Sequence, residues 1–258
     1  AVLGLNDDAS LNALSDAGAA LWSRKLILQA GMIRWPDWTL PVSISGTAHL
    51  DGAVDSGRPV IIWADNTIMA ELAGRAGVAQ AGIRAMHYSD WVHEHGTSHA
   101  STLMLQRRIF RLEQRFMDER ILSTPTTHFS SMRKFAQALR ENRAIFSMNN
   151  AFLGRRHACT PIDGEWHLVQ AVAPLNMARC HGASIVPMTA IELEPFKRYR
   201  IEFHPPIEAD PQLDRDEDIR RMAHQSAKRM LSTIREHPSQ WMCWVGDQIS
   251  QLQGPLLA

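Results

Sequence analysis

Apolar residues recur at helical spacing through Leu14, Leu21 and Leu28, so Leu11 to Met32 reads as a helix, stopped by Gly31 and by Trp35-Pro36. A second, short helix opens at Thr47, carries His49, Leu50 and Val54, and ends at Gly57. The pattern then changes. Pro59-Val60-Ile61-Ile62-Trp63 is a continuous apolar run of strand length between turn formers, which suits a strand buried on both faces of a parallel sheet. Alternation continues with a helix over Ile68 to Ala76 and a strand over Ile83 to Met86. Ser101 to Met117 is a long amphipathic helix with Leu105, Ile109, Leu112 and Phe116 on one side. Phe129 to Arg140 predicts a helix, Ala144 to Met148 a strand, and Leu168 to Cys180 a helix despite Pro174. Strands follow over Ser184 to Ile191 and Tyr199 to His204, joined through Pro195. The last long helix, Glu217 to Arg235, turns Ile219, Met222, Met230 and Ile234 inward.

This alternation predicts a single-domain α/β fold, a mostly parallel central sheet flanked by helices. Residues 1–44 read as an N-terminal helical segment and 45–258 as the α/β domain, together one compact unit. There is no internal repeat, low-complexity tract or interdomain linker. In open α/β sheets ligands bind beyond the carboxyl ends of the strands. That singles out the residues after Trp63, Met86 and Met148: Asp65-Asn66, His87 and Asn149-Asn150.

Composition narrows the function. With 27 Lys+Arg against 27 Asp+Glu there is no overall field to steer the chain onto nucleic acid, so no nucleic-acid partner is expected. Attraction to a phosphorylated ligand has to be local. The three cysteines, Cys159, Cys180 and Cys243, form no CxxC pair, which argues against a disulfide framework or a structural zinc. No apolar run reaches the roughly 18–20 residues needed to span a bilayer. No signal-peptide pattern opens the sequence, although it begins at Ala1 rather than Met and a removed segment stays open. A cytoplasmic protein, at most peripheral to the inner membrane, is the expectation.

Several short pieces, in order, resemble a known family. They are His49-Leu50, Gly57-Arg58-Pro59-Val60-Ile61-Ile62, and Asn66 through Leu72. They resume at Ala138-Leu139-Arg140, Asn149-Asn150, Gly154-Arg155-Arg156, Ala173-Pro174, Ala178, Gly182-Ala183 and Val186-Pro187. The most specific is Ile234-Arg235-Glu236-His237-Pro238-Ser239-Gln240-Trp241. Over roughly residues 45–245 the chain resembles the lysophospholipid acyltransferase-like family, in its lipid A biosynthesis (lauroyl/myristoyl) branch. The resemblance implies a glycerolipid acyltransferase-like fold. It also implies an acyl thioester donor (acyl carrier protein or coenzyme A), a lipid or small-molecule acceptor with a hydroxyl or amine, and no bound cofactor.

That family places a His-x4-Asp/Glu motif after the first buried strand, a base to take the acceptor's proton and an acid to orient the imidazole. Here the frame falls on Asn66 and Glu71, and no histidine in the chain has Asp or Glu five residues later. An amide does not titrate near neutral pH, so Asn66 is no general base. Three explanations stay open, beside a misplaced frame. Asp65 or His87 serves as base; a more reactive acceptor, such as an amine of low pKa, needs only orientation by Asn66; or the chain is a catalytically inactive lipid- or partner-binding homologue. The neutral charge balance, and the lack of a segment that reads as the N-terminal membrane helix usual in the branch, weaken the case for lipid A as acceptor and leave a smaller, soluble one open.

Each residue also has a plainer reading. Glu71 near a helix start favours the helix dipole. Asn149-Asn150 are good turn formers, in a place where the family commonly has an acidic residue and a glutamine. Arg155 and Arg156 suit a phosphate of the acyl carrier or of a lipid head group, and equally a solvated surface. His87, His93, His95 and His99 are too irregularly spaced for a zinc site, so no metal is expected. Trp35, Trp38, Trp63 and Trp91 suit either an acyl tunnel or the core.

Overall fold

The computed structural model describes residues 8–35, 37–90, 107–124, 126–149, 156–163, 166–242 and 256–257. Seven strands form the main sheet: β1 (Val42–Ser45), β2 (Val60–Ala64), β3 (Met86–Asp90), β4 (Arg120–Ser123), β5 (Ile145–Met148), β8 (Ser184–Glu194) and β9 (Arg198–Phe203), in the order β1-β9-β8-β2-β5-β3-β4. Every pairing is parallel except the β8–β9 hairpin, so β9 and its partner β1 run against the rest. The fold is a mixed α/β sheet, mostly parallel and flanked by helices. A small second sheet pairs β6 (His157–Asp163) with β7 (Trp166–Ala171) antiparallel, and β10 (Leu256–Leu257) with β6 in parallel.

The all-apolar run of β2 is buried on both sides and lies in the middle of the sheet. On one side Val60, Ile62, Ala64, Phe146 and Met148 pack with α1 (Asp8–Arg34), α2 (Thr47–Asp55) and α3 (Arg75–Gln80). On the other, Ile61, Trp63, Tyr88 and Ile145 pack with α5 (His128–Arg140), α6 (Val172–His181) and α7 (Arg215–Glu236). α4 (Arg107–Glu113) lies on the first side through Leu112. Helix α1 joins this core through Leu21, Leu28 and Met32.

Several elements differ from expectation. Helix α1 runs through Gly31 to Arg34, because the glycine makes room for the Trp38 ring, which a Cβ would strike. The first turn after β2 is a π-helical turn, Ala70–Gly74, leading into α3. β3 begins at Met86, where the predicted strand ended. Residues 166–171 form β7 and the helix starts only at Val172, so Pro174 sits in the first turn, where its missing N–H costs nothing. Trp63 is core, whereas Trp35 is 60% exposed; Trp91 lies outside the described residues.

Candidate functional site

The turn beyond β2 is fixed from two directions. Asp65 N–H donates to Met188 O (2.8 Å), and Thr67 Oγ1 donates to Ala190 O (2.5 Å), so the turn is tied to β8. The segment after α7 closes over it: Ile68 N–H donates to Gln240 O (2.9 Å), Met242 N–H to Asn66 O (2.9 Å), and Thr67 bridges Trp241. Gln240 in turn clasps β8 with its side chain, accepting from Glu192 N–H and donating to Glu192 O, both at 2.7 Å. The His237 to Trp241 stretch therefore acts as a strap across the motif turn. Asn66 is wholly buried beneath it.

Asp65, also wholly buried, is surrounded by donors. Arg229 of α7 grips both carboxylate oxygens, with Nη1 at 2.7 Å from Oδ2; Thr189 Oγ1 donates to Oδ2 (2.6 Å) and Asn149 Nδ2 to Oδ1 (3.3 Å). Asn149 thus joins Asp65 in one network, through the ends of adjacent strands β5 and β2. A carboxylate with both oxygens occupied by donors is poorly placed to take a proton from an acceptor. Thr189 also bonds His204 Nε2 (2.9 Å). Burial, reinforced by the Arg229 charge, lowers the His204 pKa to about 4, so the ring is neutral at neutral pH.

Glu71 lies in the π-helical turn and is buried. Its Oε2 accepts from Lys25 Nζ of α1 at 2.7 Å, and its Oε1 is 3.9 Å from Arg75 Nη2. Arg75 pairs with Glu113, Glu113 with Arg120 (2.9 Å), and Arg120 Nε donates to Ser89 (2.6 Å). A chain of alternating charges thus crosses the molecule from α1 to the β3–β4 edge. There it meets a cavity of about 360 Å³, lined by His87, Phe110, Glu113, Met117, Arg120 and Leu122 among others. Neither Asn66 nor Glu71 lines it.

His87 is buried within β3, level with Phe146 of β5 and hence with Ile62 of β2. It lies four residues short of Asn66 along the strand direction, not beyond a strand end as the sequence suggested, because β3 starts three residues later than the predicted strand. Its ring packs edge-on against Phe146. Arg156 pairs with Asp216 at 2.7 Å near the start of α7, both partly exposed. Asn150, Arg155, His93, His95 and His99 lie outside the described residues. Among the described residues no three His, Cys, Asp or Glu side chains converge to hold a metal, and no helix is long and apolar enough to cross a membrane.

The sequence did not single out Lys25, Thr189, His204 or Arg229. Lys25 left a signal: it occupies the buried stripe Leu21-Lys25-Leu28-Met32, where a charge needs a partner. The other three come from distant segments and have no telling local spacing.

A solved structure, the 1-acyl-sn-glycerophosphate (LPA) acyltransferase PlsC from Thermotoga maritima, is similar with a TM-score of 0.47 at 11% identity, over 91% of this chain and 86% of that one. No curated protein sequence matches. The family model described as bacterial lipid A biosynthesis acyltransferase matches residues 90–248. That span carries β5, β8 and the strap that closes the motif turn, and it is well over half of the sequence. The chain belongs to the bacterial lipid A biosynthesis acyltransferase family.

Proposed function

We propose that the protein moves an acyl group from a thioester of acyl carrier protein or coenzyme A to an amine or hydroxyl acceptor, at the turn beyond β2. The observation that carries this reading is the placement of Asn66: a buried amide at the carboxyl end of the central strand, where the sequence resemblance puts the family's histidine. An amide at that point is suited to hydrogen-bond either the acceptor or the oxyanion that forms as the thioester carbonyl is attacked. With Asp65 gripped by Arg229 and Glu71 by Lys25, an acceptor that carries its own lone pair at working pH fits better than one that needs a base. An amine meets that need. Its nitrogen bonds the carbonyl carbon, the C–S bond breaks, and the departing thiolate takes up the proton that the nitrogen loses.

The same ion pairs favour a second reading, a homologue that binds an acyl donor or lipid without turning it over. Each acid at the motif turn is neutralised by a cation of the fold, which is what a site kept for structure requires. Thiol release from acyl-coenzyme A and acyl carrier protein, with amine and hydroxyl acceptors supplied in turn, separates the two. Transfer predicts acceptor-dependent release, acyl-shifted acceptor mass, and a loss of about 10²–10³-fold in Asn66→Ala, the usual effect of removing one oxyanion donor. Donor binding with no release under any acceptor establishes the second reading.

A further inference from the structure

Lys25 and Glu71 are 46 positions apart and belong to different elements, yet their charged ends meet at 2.7 Å. Both side chains are at least nine-tenths buried. Lysine is rarely buried in a helix stripe unless something requires it, and here it displaces an apolar side chain between Leu21 and Leu28. What it meets is the acid of the motif whose histidine is replaced by Asn66. Its ammonium lies 4.7 Å from the centre of the Trp22 ring, a second contact that favours the charge there.

We propose that Lys25 is the positioning residue of the motif acid: it holds the Glu71 carboxylate that a His–acid pair would use, and α1 is thereby part of the site. This rests on the motif frame adopted above. An imidazole placed at position 66 is oriented by the acid only if the acid is available to it. With Oε2 held by Lys25 and Arg75 beside Oε1, Glu71 is already committed to cations. Restoring histidine alone therefore does not restore a working pair; releasing Glu71 at the same time does.

The test compares Asn66→His with Asn66→His/Lys25→Met, following thiol release from acyl-coenzyme A with water as acceptor. In the working case the imidazole takes a proton from water, the oxygen bonds the carbonyl carbon, the C–S bond breaks, and the imidazolium returns the proton to the thiolate. The double variant is expected to release thiol at least tenfold faster than the single one, and Asn66→His/Lys25→Arg to match the single one. Equal release by the single and double variants, whether fast or absent, overturns the proposal. A parallel NMR titration of the introduced ring guards against loss of fold in the methionine variant. Its pKa should rise when Lys25 becomes Met, through access to Glu71, and an unchanged value in a folded protein also overturns the proposal. Both readouts are independent of native transfer by the parent protein, so failure here differs from failure of the proposed function.

Discussion

Glu71 and Lys25 are both withdrawn from water, which separates their energetics from those of a surface pair such as Arg58–Glu208. Replacing Glu71 with Gln strands the Lys25 ammonium in the core. Denaturant unfolding should show a loss of about 3–5 kcal/mol, far above the 0.3–1 kcal/mol of a helix-dipole contribution alone. Arg58→Ala should stay within about 1 kcal/mol. A small effect of Glu71→Gln would mean that the lysine finds water or another partner. His204 makes a second residue-scale prediction. Its ring takes a proton near 6.5 in the unfolded chain but only near pH 4 in the fold, owing first to burial and then to Arg229, with His49 adding to the repulsion and Asp65 and Glu202 opposing it. Between those values the unfolded state binds more protons, so stability falls as pH drops from 6.5 towards 4 and is fully present above that window. The contribution is on the order of 3 kcal/mol. His204→Gln should flatten the unfolding free energy across that window; an unchanged profile contradicts the assignment.

At the scale of elements, the strap over residues 237–241 explains a sequence feature that its composition alone leaves unexplained. Gln240 pairs with both backbone groups of Glu192, so Gln240→Ala leaves a buried N–H and a buried C=O unsatisfied, at about 1–3 kcal/mol each. Hydrogen exchange at the Ile68 and Met242 amides should quicken in the same variant, because both bond across the strap. Unchanged exchange there would show that the backbone bridge holds without its side chain. The elements legible in the sequence are those whose burial is simple. β2, β5 and β8 are covered on both faces and read as apolar runs. The edge strands β1 and β4 are only half covered, and Val42-Ser43-Ile44-Ser45 and Arg120-Ile121-Leu122-Ser123 are too short and polar to stand out. β3 is hard to place from sequence because His87 and Ser89 look unlike strand interior until Arg120, which bonds Ser89 from the neighbouring strand, is beside them. β7 reads as part of a helix because Leu168 and Val169 continue the helix's apolar content; Pro174, properly a start signal, marks the true boundary.

Across the whole molecule, the motif turn is braced by helices from both faces of the sheet. Arg229 of α7 holds Asp65 from one side, Lys25 of α1 holds Glu71 from the other, and Asn66 lies between them in sequence. The buried strand β2 and the polar turn beyond it could be read from the order of segments, since an apolar run followed by turn formers is local information. The cations that complete it could not, because Lys25 and Arg229 arrive from opposite ends of the chain. The proposed transfer makes one geometric demand on a bound donor: its carbonyl has to reach the Asn66 amide beyond the end of β2. The most direct measurement is a crystal structure with a non-cleavable acyl-coenzyme A analogue, in which a methylene replaces the thioester sulfur and the carbonyl is kept. The proposed transfer predicts the carbonyl oxygen at hydrogen-bonding distance, about 2.7–3.2 Å, from the Asn66 side chain. An analogue seated in the cavity beside His87, or anywhere that leaves its carbonyl remote from Asn66, would contradict it.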